Sequence, residues 1–472
     1  MKNLKSKIKN ICCIGAGYVG GPTMSVIADK CPDIMVTVVD INTEKINCWN
    51  EEDLKKLPIF EPNLEEVISR VRNRNLFFST DIENSIKKAD LIFISVNTPI
   101  KEKGIGSGKA SNLKWVESSA RQISSYAEGH TIVVEKSTLP VRTAETIKNI
   151  LASSFKDNNK SFSVLSNPEF LSEGNALNDL LNPDRVLIGG EDYESINVLK
   201  EIYTRWVDPK KIICTNVWSS ELSKLVANAF LAQRISSINT VSAICEASGA
   251  EVNEVAKAVG TDKRIGSKFL NPGPGFGGSC FKKDILNLVY LCNHFGLPEV
   301  AEFWEQVIKM NTWQQERIYK VVVSRLFGNV DNKKLAILGF SFKSNTNDTR
   351  ESPAIELCKN LLNEGAFLAI NDPKVKKNQI EKDLNLNESS NQDIYSSEGG
   401  WYYEESVYNA IDNSDGIIIL TEWDEYKNLD WEKISRITRQ PAWIFDTRLI
   451  IDPIKVKEAG LNLWRLGDGN NR

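Results

Sequence analysis

The first third of the chain alternates short apolar runs, rich in β-branched residues, with amphipathic segments of helical period. The runs ICCIG, MVTVVD, LFFST, DLIFISV, TIVVEK, FSVLSN, RVLIGG and KIICT read as successive strands. Their near-continuous apolar character predicts strands buried on both faces, as in a parallel sheet wrapped by helices. This doubly wound domain extends over 1–215. SSELSKLVANAFLAQRISSINTVSAICEASGA follows, without Gly or Pro until its end. A Ser cap and Glu221 in the first turn open it, and it predicts one helix of roughly 45 Å, long enough to bridge two domains. The section 216–328 continues helical, broken only by NPGPGFGG. At 333 the strand-helix rhythm restarts with KKLAILGF, AFLAINDP, DGIIILT and PAWIFDTR, which implies a second α/β domain over 329–472. The polar stretch 385–400 reads as a surface loop.

Composition narrows the classes. The chain is 41% hydrophobic and 25% charged, with a net charge of -4. Disorder is therefore not the default, and nothing favours a nucleic-acid partner. The lysine-rich start is too short for a signal or transit peptide, and no apolar stretch approaches a membrane span, so a cytoplasmic protein is expected. Nine cysteines without a CxxC spacing point to reduced thiols rather than disulfides or zinc. Most read as core filler, Cys12 and Cys13 in a strand and Cys245, Cys292 and Cys358 in helices. The only histidines are His130 and His294. His294 lies on one predicted helix with Cys280, roughly 21 Å away along the axis, which excludes a local Cys-His dyad. A His-rich metal site has almost no material, and no metal is expected.

The motif GAGYVG places Gly15, Ala16, Gly17, Tyr18, Val19 and Gly20 between a strand and a helix beginning near Tyr18. Its glycines permit a tight turn, close approach of backbone to a pyrophosphate, and close strand-helix packing. The next strand ends in VVD, and Asp40 falls where a carboxylate binds a ribose 2'-hydroxyl. It would repel a 2'-phosphate, so the expected cofactor is NAD. The second α/β domain lacks the fingerprint. GFSFKSNTNDTRES follows its first strand instead, with Lys343 and Arg350 just past the strand end. These cations suit a nucleoside diphosphate, or are solvated loop charges.

GFGGSCFKKD poses the sharpest question, because Cys280 could be filler, metal ligand or nucleophile. The glycines allow close approach of a ligand. The following helix is expected to start at Ser279 or Cys280, where its dipole and nearby lysines favour a thiolate. Asp284 lies one turn on, and Lys224 and Asn228 form a second i, i+4 polar pair on the long helix. Together with the dinucleotide turn these favour a dehydrogenase with a covalent thiol step.

GAGYVGGPT, VNTP, EKSTLPVRTAE, SNPEFLSEG, NPDRVLIGG, GPGFGGSCFKKD, ILGFSFK, DTRES and IFDTR occur in this order over nearly the whole chain. In this the chain resembles the UDP-glucose 6-dehydrogenases, animal-type members most closely. The resemblance implies two Rossmann-like doubly wound domains joined by a central helical domain with one long bridging helix. It implies oxidation of UDP-glucose to UDP-glucuronate with two NAD⁺, through a thiohemiacetal and a thioester on Cys280. Lys224 matches the family's acid/base and oxyanion stabiliser, and Asn228 a hydrogen-bond donor. Asp284 matches an aspartate that positions or activates water, Glu169 a glutamate of thioester hydrolysis, and Thr138 a threonine near bound water. Substrate contacts carried over are Phe170, Leu171, Lys224, Asn228, Arg264, Gly273, Gly275, Phe276, Gly277, Phe342, Lys343 and Arg448. Cofactor contacts are the glycine turn, Asp40, Lys45, Val96, Thr98, Ser137, Glu173 and Arg350. Arg264 matches an arginine supplied across a subunit interface, which implies a homo-oligomer built on a dimer, with a hexamer as one form.

Two departures carry expectations. NPGPGFGG replaces the animal-type Ala, Ser and Val before GFGGSC, and its prolines stiffen the loop against feedback switching. Lys45 replaces the family arginine after Asp40, keeping the charge without the planar fork. The alternatives are a dehydrogenase of GDP-mannose or a UDP-N-acetylhexosamine, and a non-catalytic scaffold for NAD or UDP-sugar.

Overall fold

The computed structural model describes residues 8–153, 160–389 and 399–471. The chain forms two compact units. One comprises Met1–Ala227 with Leu286–Leu297, the other Asn228–Ile285 with Pro298–Arg472.

In the first unit, eight strands form one sheet: β1 (Asn10–Ile14), β2 (Met35–Val39), β3 (Leu76–Ser79), β4 (Leu91–Ile94), β5 (His130–Glu135), β6 (Ser161–Ser166), β7 (Val186–Gly189) and β8 (Ile212–Thr215). Their order is β3-β2-β1-β4-β5-β6-β7-β8. All eight apolar runs are strands. One junction departs from the parallel expectation, since β7 meets β6 antiparallel at Ser166 and Gly189. Both faces are covered. Ile11 and Cys13 of β1 enter one core and Cys12 and Ile14 the other, so the continuous apolar run serves two helical layers.

In the second unit, β9 (Lys334–Leu338), β10 (Phe367–Asn371), β11 (Gly400–Tyr403), β12 (Gly416–Ile419), β13 (Trp443–Asp446) and β14 (Asn462–Arg465) form a parallel sheet. The order β11-β10-β9-β12-β13-β14 repeats the winding of the first six strands of the other sheet. Four of its strands match apolar runs, whereas β11 and β14 close the edges where the sequence reading had no strand. Of the expected surface loop at 385–400, residues 390–398 lie outside the described residues.

The long helix is Val217–Ser248, about 48 Å at the usual rise. It starts ahead of the expected Ser cap, because the Asn216 side chain accepts from the Ser219 N–H at 2.8 Å. Glu221 therefore does not cap its own helix. Its carboxylate accepts from the N–H groups of Arg142 and Ala144, at 2.7 and 2.8 Å, and caps the helix Thr143–Ala152. Among the described residues no cysteine is in a disulfide, and no helix is long and apolar enough to cross a membrane.

Candidate active site

In the first unit the turn after β1 carries the glycines. Gly15 has φ +112°, and a Cβ there would fall 2.1 Å from the Ser95 carbonyl oxygen. A Cβ on Gly20 would fall 2.0 Å from the Gly15 oxygen, where the helix Gly20–Lys30 packs down on the turn. At Gly17 a Cβ meets nothing, which leaves the backbone open to an incoming group. The three glycines thus have the three separate jobs of a pyrophosphate-binding turn. The helix begins at Gly20, so Tyr18 and Val19 belong to the turn. Asp40, just past β2, accepts from the Ala16 and Asn42 N–H groups, each at 3.0 Å, and from Lys45 Nζ at 3.1 Å. Burial pushes its carboxyl up, but these three donors outweigh it and hold it below the usual range. Val96 and Ser137 meet through a 2.7 Å bond from the Ser137 hydroxyl to the Val96 carbonyl, and the Thr98 hydroxyl donates to the Thr138 carbonyl at 3.1 Å. These residues fit NAD.

At the carboxyl edge of β6 the chain runs into NPEFLSEG. Glu169 pairs with Lys224 of the long helix at 3.1 Å, both side chains nearly inaccessible, and accepts from the Leu171 N–H at 2.6 Å. Burial pushes the Glu169 carboxyl up. Lys224, the Leu171 N–H and the charge of Lys136 pull it down further, so it stays ionised. Phe170 stacks under two cations, with Lys224 Nζ 5.4 Å and Arg185 Cζ 3.8 Å from its ring centre. The loop carrying Leu171 and Glu173 is pinned by buried Glu61, which accepts from the Gly174 and Ala176 N–H groups at 2.7 and 3.1 Å.

In the second unit the stretch 271–280 is held by buried amides. Asn239 accepts from the Gly273 N–H at 2.9 Å, Gln314 donates to the Gly273 carbonyl at 2.8 Å, and Asn311 accepts from and donates to Phe276 at 2.8 and 3.0 Å. Gly275 has φ +127°, and a Cβ on Gly277 would fall 2.5 Å from the Glu351 carbonyl oxygen and 2.8 Å from Phe342 Cβ. Cys280 ends this loop. It is half-buried and stands at the N-terminus of the helix Phe281–His294, its carbonyl accepting from the Asp284 N–H at 2.9 Å to open the first turn. Asp284 is buried and accepts from the Asn228 amide at 2.6 Å, with Lys283 3.4 Å away. The two i, i+4 pairs are joined to other residues: Asn228 bonds Asp284, and Lys224 pairs with Glu169.

The turn after β9 copies the turn after β1 and then diverges. Gly339 donates to Asn371 as Gly15 does to Val39, and Phe340 N–H reaches Asp372 as Ala16 reaches Asp40. Asp372, however, also accepts from the Ser341 N–H and hydroxyl. The next helix, Pro353–Asn363, starts well beyond the turn, so no helix N-terminus stands at the strand end. A long loop carries Phe342 and Lys343 there, and Arg448 after β13 is fixed by bonds to the Leu420 and Phe342 carbonyls at 2.7 and 3.1 Å. Arg350 lies in this unit, paired with Asp348. Arg264 is 89% exposed and pairs with neighbouring Asp262.

Profiles of the UDP-glucose/GDP-mannose dehydrogenase family match three successive parts: the NAD binding domain over residues 9–207, the central domain over 218–313 and the UDP binding domain over 336–453. The chain belongs to the UDP-glucose/GDP-mannose dehydrogenase family. It is 53% identical to UDP-glucose 6-dehydrogenase 2 of Arabidopsis thaliana and 54% identical to UDP-glucose 6-dehydrogenase of Drosophila melanogaster, each over 97% of this chain and 96% of the relative. Among solved structures it resembles a UDP-glucose dehydrogenase from Pyrobaculum islandicum, with a TM-score of 0.82 and 29% identity over 98% of this chain and 99% of the other. Within this family the cofactor is NAD, the glycine turn lies in the NAD binding domain, and the match to the UDP binding domain takes in strands β10 to β13 and most of β9.

Sequence reasoning missed the supports of the site. Glu61, Asn239, Asn311 and Gln314 are polar residues whose partners lie far along the chain, and no local pattern marks them. Lys136 was visible in principle. It extends the apolar strand TIVVE with a charge that lies at a ligand-binding sheet edge.

Proposed function

We propose that this chain oxidises the C6 alcohol of UDP-glucose to the carboxylate of UDP-glucuronate, as a UDP-glucose 6-dehydrogenase. The observation that carries the reading is Cys280. A half-exposed thiol closes a glycine loop ahead of a helix, in a chain that also has a dinucleotide turn. Oxidation of an alcohol to a ketone or aldehyde needs no thiol. Oxidation on to the acid requires a nucleophile to add to the aldehyde before a second hydride can leave, and an accessible thiol supplies one without prior hydration.

NAD, when bound, accepts one hydride at each oxidation. The Glu169–Lys224 pair takes the hydroxyl proton, and the Lys224 ammonium offsets oxyanion charge. The Cys280 sulfur adds to the aldehyde carbon to give a thiohemiacetal, which loses the second hydride to become a thioester. Water oriented by Asp284, itself held by Asn228, cleaves the C–S bond and returns the thiol, with Thr138 and Glu169 assisting. Asp40 and Lys45 take the adenosine ribose, with Val96, Thr98, Ser137, Glu173 and Arg350 completing the cofactor site. Phe170, Leu171, Gly273, Gly275, Phe276, Gly277, Phe342, Lys343 and Arg448 take the sugar nucleotide.

The domain division 1–215, 216–328 and 329–472 belongs to the same reading, as do a cytoplasmic location and a homo-oligomer built on a dimer, a hexamer included. The test is stoichiometry. Limiting UDP-glucose with excess NAD⁺ yields two NADH per sugar nucleotide at 340 nm, and a yield of one overturns the covalent double oxidation.

A further inference from the structure

Lys136 continues β5 past Glu135, at the carboxyl edge of the first sheet, and is only 4% exposed. Its backbone is fixed by an N–H bond to the Ile94 carbonyl at 2.9 Å. Its ammonium donates to Asn167 Oδ1 at 3.1 Å and to Tyr203 Oη at 3.4 Å. Asn167, just past the neighbouring β6, is itself fixed by the Tyr203 hydroxyl at 2.6 Å and by donating to the Leu187 carbonyl at 2.7 Å. Glu169 stands two residues further along the same strand exit. Among the described residues the cation therefore sits in a socket of neutral groups, with no carboxylate among its bonded partners.

Four charged or titratable groups face it: Glu169 favours its charge, Lys224 opposes it, and Cys13 of β1 and Tyr203 present a thiol and a phenol kept neutral by burial. A buried charge with neutral hydrogen-bond partners is costly.

Accepting the Glu169–Lys224 pair as the proton-transfer group, we propose that Lys136 is a positioning residue of the reaction, a second buried cation sharing Glu169 with Lys224. It keeps the carboxylate charged and counters the Lys224 ammonium, so that the pair can exchange a proton with substrate near neutral pH. Burial lowers Lys136 itself to about 8, so it is mostly charged at neutral pH. Loss of its charge raises the proton affinity of Glu169 and Lys224 alike. The effect on rate has one sign whichever of the two titrates in the profile.

The experiment is the pH profile of kcat for the full-length enzyme carrying Lys136→Met, Lys136→Arg, Asn167→Asp or Lys224→Ala. Lys136→Met is expected to move the limb of the profile set by the pair to higher pH by about one unit. The rate at neutral pH falls about tenfold while KM for UDP-glucose stays. Lys136→Arg keeps the wild-type limb. Asn167→Asp, which places a carboxylate against Lys136 without emptying the socket, moves the limb upward too, and decides the matter if Lys136→Met does not fold. A limb at the wild-type pH in both Lys136→Met and Asn167→Asp overturns the proposal. If Lys224→Ala also retains the wild-type limb, the assignment of the pair fails, and Lys136 falls with it. A limb lost in Lys224→Ala but unmoved in the other variants sinks the Lys136 role alone.

Discussion

Cys280 differs from the structural cysteines by where its sulfur lies. Burial pushes the thiols of Cys12 and Cys31 up to about 12 and about 11, out of reach of reaction at neutral pH, whereas Cys280 is half-buried ahead of a helix. With Cys280→Ser, an alkoxide adduct should form poorly and turnover should be nearly lost, with a covalent or aldehyde-level species seen by intact-protein mass spectrometry. Normal turnover would refute the thiol route. Lys224→Ala is expected to reduce kcat by about 10²–10⁴ in steady-state assays. It also leaves Glu169 buried and unpaired, so its melting temperature should fall further than that of Cys280→Ser. At this scale the sequence marked the residues proposed to react, through glycines, helix spacing and motif order. It did not carry their pairing. That Asn228 holds Asp284 while Lys224 holds Glu169 depends on tertiary placement, to which an i, i+4 rule is blind.

The apolar runs were legible as strands because a core strand buried on both faces must be apolar throughout. The two missed strands are short edge members, β11 and β14, where only one neighbour constrains the residues. Glu221 was misread for a related reason: capping rules look along one helix, and this carboxylate crosses to another. There it meets Glu135, whose carboxyl burial pushes well above its usual value, with the Glu221 charge adding to the rise. A carboxyl raised in the fold contributes stability below its ordinary range and loses it as pH rises toward the raised value. Glu135→Gln should therefore raise the melting temperature at pH 8, with the gain over wild type shrinking as pH falls toward 5. Each unit of elevation corresponds to about 1.4 kcal/mol. An equal gain at every pH would exclude the raised Glu135 carboxyl as its cause. The loop 271–280 makes the opposite case, because at Gly277 the packing leaves no room for a Cβ. Gly277→Ala should lower kcat/KM by about 10²-fold through displaced substrate contacts, and a wild-type value would show the loop to be adaptable.

For the whole molecule, the expected subunit exchange of Arg264 can be tested without a structure of the assembly. Its side chain is exposed and pairs with Asp262, a near neighbour in sequence. Arg264→Ala and Cys280→Ser should each be inactive, yet mixing them under exchange conditions should restore activity, since one mixed site then carries both faults and the other none. Failure to complement, with exchange confirmed by native mass spectrometry, would place Arg264 in its own subunit's site. The winding of both sheets was legible from the strand-helix rhythm. The kinship of their first turns was not, since GFSFK shares with GAGYVG only its opening glycine. Asp372 has a kinetic consequence. By accepting from both the Phe340 and Ser341 N–H groups, where Asp40 takes only the Ala16 N–H of the first turn, it leaves the second turn one backbone donor fewer for a dinucleotide. Excess NAD⁺ should then not compete with the sugar nucleotide. Product NADH should be competitive against NAD⁺ but not against UDP-glucose in initial-rate assays.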